Sequence, residues 1–234
     1  MTKNLFKETF TLKETLCTII SDKPQGIRAA EDSIRRTRQE LEVYIKENPK
    51  FLYTLKPYPA PEKPLVAKIM AQAAEKAGVG PMAAVAGVIA DIAVDDMTEL
   101  GCEVAVVENG GEISAASNVP IDVAVAAGDE PLSRRFGFRL TEFPIGVATS
   151  SGRFSHALSF GDAEAATVFC KNARLADAVA TAVGNAVKGE DADVGIKAGI
   201  TRGMSIEGVE GVLIIFKGKV GMAGKIPEII KVNA

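Results

Sequence analysis

The sequence predicts an α+β fold in which antiparallel sheets pack against helices. Helical patterns occupy 24–48, 65–76 and 81–100, and a series of short β-like runs separated by turns follows between 103 and 160. Helices grouped against consecutive strands favour α+β over an alternating parallel fold. With 234 residues, 47% of them hydrophobic, the chain is long enough to bury a core without disulfides or metals as staples.

The N-terminal part of the chain predicts one hairpin and three helices. Phe6 to Ser21 is rich in Thr, Ile, Leu and Phe, which indicates two short strands. An amphipathic helix begins near Pro24 and ends at Asn48. Of the next two helices, 65–76 and 81–100, the second is almost entirely small or apolar and is therefore expected to be central and buried. Four prolines between 56 and 64 form a rigid connector, an internal crossover rather than a domain boundary.

The C-terminal part predicts an antiparallel meander followed by mixed elements. The meander strands are 103–107, 112–116, 122–126, 136–140 and 146–149, with turns at glycine- and proline-containing breaks. A strand at 165–170, a helix at 173–187, a short helix at 193–201 and strands at 211–217 and 226–232 complete the chain. We expect a single domain, 1–234. The alternative is two lobes, 1–60 with the hairpin and first helix, and 61–234 with the ligand site.

Composition narrows the classes of protein that fit. A net charge of -3 disfavours nucleic-acid binding, whose surfaces are normally basic. Cys17, Cys102 and Cys170 lie far apart without a CxxC spacing, which excludes a disulfide framework and suits a reducing compartment. The N-terminus has no apolar signal core, and the longest uncharged run, 77–90, is too short to cross a bilayer. A cytoplasmic protein is expected, with no membrane partner; the long apolar helix is compatible with a homodimer.

The helix at 173–187 carries the first candidate site. Asp177 and Thr181 lie one turn apart on the face opposite its apolar residues. A carboxylate and a hydroxyl so spaced can bind a hard cation such as Mg²⁺, which prefers oxygen ligands. The alternative is a face that simply points to water, and the spacing alone leaves both open.

The buried helix at 81–100 carries the second candidate. Asp91 lies within an otherwise apolar stretch, where a carboxylate is costly unless it is paired or bound to a metal. The turn at Gly80 leaves free N–H groups at the helix start, which is a natural seat for phosphate. Glycine-proline helix starts are also common without a ligand.

Two glycine-containing turns and the single histidine complete the candidates. Paired glycines allow an anionic or flat ligand to approach backbone amides. A Ser-Ser-Gly turn after a strand can bind an anion. Either segment can also be a turn without a ligand. No catalytic triad, GxGxxG or Walker A lysine motif is present. The residues concerned are Asn109, Gly110 and Gly111 in the first turn, Ser150, Ser151 and Gly152 in the second, and His156.

Together these segments resemble the ApbE-like superfamily. Its pattern contains a glycine-led helix ending in Asp, as in GPMAAVAGVIAD (80–91), and an Asn-x-Gly-Gly-Asp turn, as in VVENGGEISA (106–115). It also contains a Thr-Ser-Gly loop, as in IGVATSSGRFSHALSFG (145–161), and a helix like NARLADAVATAVGNAV (172–187). This similarity covers about 80–187, and the chain before it resembles a shorter, uncharacterised branch of the same superfamily.

The resemblance implies a fold, cofactors and two functions. It implies an ApbE-like (T-fold-like) architecture, and for an enzyme an FAD:protein FMN transferase that uses FAD and Mg²⁺ to attach FMN to a Thr or Ser of a target protein. Asp177, Thr181 and Asp91 would then serve the metal, and the turn residues named above, with Gly80 and His156, the flavin. The family's His-Ile-x-Asp-Pro-x-Thr-Gly segment is replaced here by 154–162, which keeps only the histidine. The alternative function is therefore a non-transferase accessory protein that binds a flavin or another anionic metabolite in anaerobic sulfur or redox metabolism.

Overall fold

A computed structural model of the chain describes residues 5–13, 15–124, 136–151 and 161–231. Eleven strands and six α-helices are assigned in these ranges. In chain order they are β1 (Phe6–Leu12), β2 (Thr15–Ser21), α1 (Pro24–Glu47), α2 (Pro49–Tyr53), α3 (Leu65–Ala77), α4 (Val85–Glu99), β3 (Val104–Asn109), β4 (Glu112–Ser117), β5 (Ile121–Ala124), β6 (Phe136–Leu140), β7 (Ile145–Ser150), β8 (Ala165–Cys170), α5 (Ala173–Ala186), α6 (Ala192–Met204), β9 (Val209–Phe216), β10 (Lys219–Gly224) and β11 (Glu228–Lys231).

Two antiparallel sheets form the framework. The large sheet has eight strands in the order β1-β2-β3-β4-β7-β8-β9-β10, and the small one has three in the order β11-β6-β5. Because β2 pairs with β3, the N-terminal hairpin continues the large sheet rather than standing apart from it. The predicted α+β class with antiparallel sheets and packed helices is confirmed.

The large sheet is covered on both faces, and the period-2 alternation of its strands decides which residues go where. In β3, Val104 and Val106 contact the small sheet, whereas Ala105 and Val107 contact the helices. In β7, Ile145 and Val147 face the small sheet and Ala148 faces the helices. The helical layer therefore meets only every second residue of each strand, and this rule fixes which side chains can enter the site below.

The structure corrects the sequence prediction in four places. The expected meander is split: β3, β4 and β7 belong to the large sheet, while β5 and β6 leave it for the small one. The predicted helix at 81–100 starts as a short 3₁₀ turn, Pro81–Ala84, before α4. Pro49, expected only to end α1, also begins α2, because proline is well tolerated in a first helical turn. β10 was missed because its glycine-containing sequence lacks a run of β-branched residues.

Candidate functional site

The ends of three strands of the large sheet meet at one edge. β4 pairs antiparallel with both β3 and β7, so the β3–β4 turn lies beside the C-terminal end of β7. Gly110 and Gly111 form this turn with φ of 67° and 112°, which L-residues rarely adopt. Among the described residues no atom lies within 4 Å of where a Cβ on Gly111 would stand, whereas a Cβ on Gly110 would lie 3.7 Å from Glu112 Oε2. Its predicted neighbours Ser150 and Ser151 lie at the end of β7, and both are buried.

Helices α4 and α5 pack against each other through carboxylates that cap one another's first turn. Asp91 of α4 is 4% exposed and accepts hydrogen bonds from the backbone N–H groups of Ala173 (2.9 Å) and Arg174 (3.0 Å), which begin α5. Asn172, the N-cap of α5, accepts from Leu175 N–H, so the first three N–H groups of α5 are satisfied by side chains. Asp91 also accepts from the Ser114 hydroxyl at 2.7 Å.

Asp177 of α5 plays the corresponding part for α4. Its Oδ2 accepts from the N–H of Gly87, the third residue of α4, at 2.9 Å. A Cβ on Gly87 would lie 2.3 Å from the Ala173 carbonyl oxygen, so only glycine allows this approach. Likewise, a Cβ on Gly146 of β7 would lie 2.2 Å from Ala173 N, which brings α5 directly onto the sheet.

The electrostatics of Asp177 differ from those of a solvated aspartate. Burial raises the pKa of its carboxyl from 3.8 to about 7, against the opposing effect of the Gly87 and Ala86 backbone N–H groups. The negative charge of Asp91 raises it further. The face of α5 that carries Asp177 is therefore packed against α4, and the alternative of a face that simply points to water does not describe it.

Glu112, which the sequence prediction missed, lies in the same place. Burial raises the pKa of its carboxyl well above the usual range, and the charge of Asp177 is the next largest cause. The two carboxylates are therefore near enough for their charges to interact. A signal was available: Glu112 directly follows the glycine pair and precedes by two positions Ser114, which contacts Asp91.

Thr181 lies one helical turn after Asp177 and is 8% exposed. Within the described ranges its hydroxyl has no hydrogen-bond partner. It supplies a second oxygen on the same helix face as Asp177.

The other predicted residues divide into three groups. The Asn109 side chain is buried and donates to the Ala86 carbonyl oxygen at 3.1 Å, which ties the β3–β4 turn to the start of α4. Gly80 is buried, and a Cβ there would lie 1.9 Å from the Thr54 carbonyl oxygen, so its small size has a packing cause. Gly152 and His156 lie outside the described residues.

The donor set fits a hard divalent cation. A carboxylate and a hydroxyl on one face of α5 offer the oxygen ligands that Mg²⁺ prefers. No three His, Cys, Asp or Glu side chains within the described ranges are grouped to hold a metal ion. Any cation here would therefore rely on the hydroxyl and on water or ligand oxygens for the rest of its shell.

No single helix among the described residues is long and apolar enough to cross a membrane. The pair formed by α3 and residues 81–99 reaches that length and composition only together, and it bends by 100° at the break.

The fold described above is also found among solved structures of ApbE proteins. The crystal structure of Pseudomonas stutzeri flavinyl transferase ApbE in its apo form is similar, with a TM-score of 0.63 over 94% of both chains. At 14% sequence identity, this similarity concerns the fold.

Sequence comparison gives the family. The family model described as "AbpE bacteria" matches residues 9–220, and the chain belongs to that family. A UPF0280 protein of Methanosarcina acetivorans is 41% identical over 230 residues, covering 96% of this chain and 89% of the relative. A UPF0280 protein of Methanococcus vannielii is 39% identical over 232 residues, covering 97% and 94%. The resemblance to an ApbE-like branch is thus confirmed.

Proposed function

We propose that this protein binds a flavin nucleotide together with Mg²⁺ at the edge where the β3–β4 turn, the end of β7 and α5 meet. The observation that carries the proposal is the pair Asp177 and Thr181. The first is a carboxylate held at the start of α4, and the second is the hydroxyl of a residue that is 8% exposed, one turn away on the same helix. The flavin transferase fold of the neighbours and the open glycine turn support a nucleotide as the ligand.

Each of the candidate site residues has a distinct role in this proposal. Asp177 and Thr181 hold the cation, which when bound would neutralise charge on a diphosphate. Gly110 and Gly111 allow the nucleotide to approach the backbone closely. Asp91, predicted from the sequence as a further metal ligand, accepts three hydrogen bonds from other groups, and we therefore assign it to positioning α5.

The experiment is a flavin titration in the presence and absence of Mg²⁺, followed by visible absorbance. Binding of FAD that requires Mg²⁺ in the wild-type protein and is lost in Asp177→Ala is the expected result. Lys188→Ala, at an exposed position two residues after the end of α5, is the control and should bind as the wild type does. Equal binding by wild type and Asp177→Ala would refute the assignment of the site.

Transfer chemistry is tested separately by measuring AMP release from FAD and flavin attachment to a Thr-containing target. We propose flavin-nucleotide transfer as the activity, acting on a Thr or Ser of a partner protein in the cytoplasm. Release of AMP with covalent flavin on the target is the expected result.

A second candidate function is an accessory protein that binds the flavin or another anionic metabolite without transferring it. The sequence at 154–162 favours it, because this interval keeps only a histidine from the segment found in ApbE transferases. Tight, Mg²⁺-dependent flavin binding without AMP release would decide for this candidate.

A further inference from the structure

A cavity of about 320 Å³ lies on the face of the large sheet that is turned toward the small sheet. The buried side chains of Ile145 and Phe169, which belong to the apolar cluster between the two sheets, form its floor. Ile145 begins β7, whereas Ser150, at the proposed flavin site, ends it five residues or about 17 Å further along. The cavity is therefore at the opposite end of β7 from the flavin site, and on the opposite face of the sheet from α5.

Two chain connections form the walls of the cavity. The connection between β6 and β7 supplies Phe143, and the connection between β10 and β11 supplies Ile226; both side chains are partly buried against the floor cluster. The second connection is held on β9, because Lys225 N–H donates to the Glu210 carbonyl oxygen at 2.7 Å. A Cβ on Gly211 would lie 2.2 Å from the Lys225 carbonyl oxygen, so glycine is needed for this approach. The walls are thus fixed by backbone contacts, and the cavity is preformed, as ligand pockets usually are.

A β-bulge decides that a carboxylate enters this cavity. In the pairing of β8 with β9, Glu210 is the extra residue of β9. Val209 and Val212, on either side of the bulge, both pack against the helical layer. The two residues between them, Glu210 and Gly211, consequently both face the cavity. Without the bulge, strand alternation would turn Glu210 toward the helices together with Val212, and bulges commonly re-aim a side chain in this way beside functional sites.

A cation enters the cavity from the neighbouring strand. Lys171 directly follows β8 and lies two positions after Phe169, so alternation places it on the same face as the apolar floor. Within the ranges that the structure describes, neither Lys171 nor Glu210 forms an ion pair or a side-chain hydrogen bond. The two opposite charges therefore line one cavity without neutralising each other.

The remaining charges at the rim are matched within the fold. Lys225 forms an ion pair with Glu142, which joins the two connections that wall the cavity. Glu228 lies directly opposite Arg139 in the register of β11 with β6, where unlike charges attract each other. Lys171 and Glu210 are the two charged lining residues that are left for a ligand.

These features together define the chemistry of a ligand. Its body must be apolar to cover the floor, and it must carry both an anionic and a cationic group to match the two unpaired side chains. Ligand pockets range from roughly 300 to 1,000 Å³, so this cavity suits a small molecule with one ring or one branched chain.

We propose that this cavity binds a small zwitterion with an apolar side group, of the chemical class of an apolar α-amino acid. The Lys171 ammonium pairs with the carboxylate of the ligand, and the Glu210 carboxylate pairs with its ammonium group. The apolar side group lies on Ile145 and Phe169. This site is separate from the proposed flavin site and does not depend on flavin binding.

The experiment is a titration of the ¹⁵N-labelled full chain with L-phenylalanine and with L-leucine, followed by two-dimensional nuclear magnetic resonance. The amide signals of Lys171 and Ile226 should shift and saturate, whereas that of Gly111 in the β3–β4 turn should not move. 3-Phenylpropionate lacks the ammonium group, phenethylamine lacks the carboxylate and glycine lacks the side group. Each of these three should bind at least about tenfold more weakly than L-phenylalanine, because each loses one charge-assisted pair or the apolar contact.

Charge-removing variants test the two pairing residues. We expect Lys171→Gln and Glu210→Gln each to weaken binding of L-phenylalanine by at least about tenfold. Glu210→Gln keeps the backbone carbonyl that holds Lys225, so the wall stays in place. Lys50→Gln, at an exposed position on α2 outside the cavity, is the matched control and should change binding by less than about twofold. Thermal unfolding followed by circular dichroism establishes that each variant is folded.

Three results would overturn the proposal. The first is the absence of saturable shifts with either amino acid. The second is equal binding of L-phenylalanine and 3-phenylpropionate, because the site would then recognise an anion rather than a zwitterion. The third is wild-type binding by Lys171→Gln or Glu210→Gln, which would place the ligand elsewhere. None of these results bears on the flavin site, which the Mg²⁺-dependent flavin titration tests separately.

Discussion

Replacing Asp91 by alanine tests whether this carboxylate holds α4 and α5 together. The substitution leaves two backbone N–H groups of α5 and the Ser114 hydroxyl without their acceptor, and it removes the partner of the Arg174 guanidinium, 3.4 Å away. Buried donors left unpaired cost about 1–3 kcal/mol each, and breaking a buried charged network costs about 3–5 kcal/mol in total. We therefore expect the free energy of unfolding to fall by about 3–5 kcal/mol, which corresponds to roughly 6–20 °C in melting temperature for a chain of this size.

The assay is urea unfolding followed by far-ultraviolet circular dichroism, because the chain has no tryptophan. Asp95→Ala, one turn later on the same helix and exposed, is the matched control and should stay within about 0.5 kcal/mol of wild type. The capping role is refuted if the two variants unfold alike in EDTA. A loss of Mg²⁺ affinity in Asp91→Ala without any loss of stability would instead make Asp91 a metal ligand.

Three further predictions concern packing, pH and thiol reactivity. Gly87→Ala should destabilise the fold by about 3 kcal/mol or more, because the added Cβ would lie 2.3 Å from the Ala173 carbonyl oxygen; an unchanged melting temperature would contradict this. In EDTA, the free energy of unfolding should fall as pH rises from about 5 to about 7.5. The reason is that Asp177 in the folded protein, with a pKa of about 7, keeps a proton that the carboxyl of the unfolded chain, with a pKa near 3.8, has lost. Urea titrations at several pH values should show that Asp177→Asn flattens this slope. Burial raises the pKa of the Cys17 and Cys170 thiols to about 12, so mass spectrometry should find them alkylated by iodoacetamide at about pH 8 only after denaturation.

Local sequence signals predicted most of the elements because each is strongly periodic or clearly bounded. α5, for example, has an Asn172 cap and an apolar face, and it was predicted within one residue of its observed end. The division of the meander between two sheets could not be predicted, because β5 and β6 carry the same alternating pattern as their neighbours. Partner choice between strands is a long-range property that periodicity does not record.

The arrangement of the candidate site could be predicted from the sequence only in part, for a similar reason. Spacing on α5 gave Asp177 and Thr181 as a pair, since both belong to one helix. Glu112 was missed because its proximity to Asp177 arises from the pairing of β4 with two strands and from the packing of α4, none of which is local in sequence. The sequence indicated that Asp91 is a buried carboxylate, but it did not indicate its partners. These are the first N–H groups of α5, which lie 82 and 83 residues away in the sequence.

The contacts between α4 and α5 form one register, and this explains why the site is set so closely by the fold. Gly87 and Asp91 are one turn apart on α4, and Ala173 and Asp177 are one turn apart on α5. The same rise per turn in both helices allows Gly87 to meet Asp177 while Asp91 meets Ala173. Sliding either helix by one residue would break both caps together. It would also move Asp177 away from the start of α4, so the bonds that hold the helices in register also hold this proposed metal ligand in place.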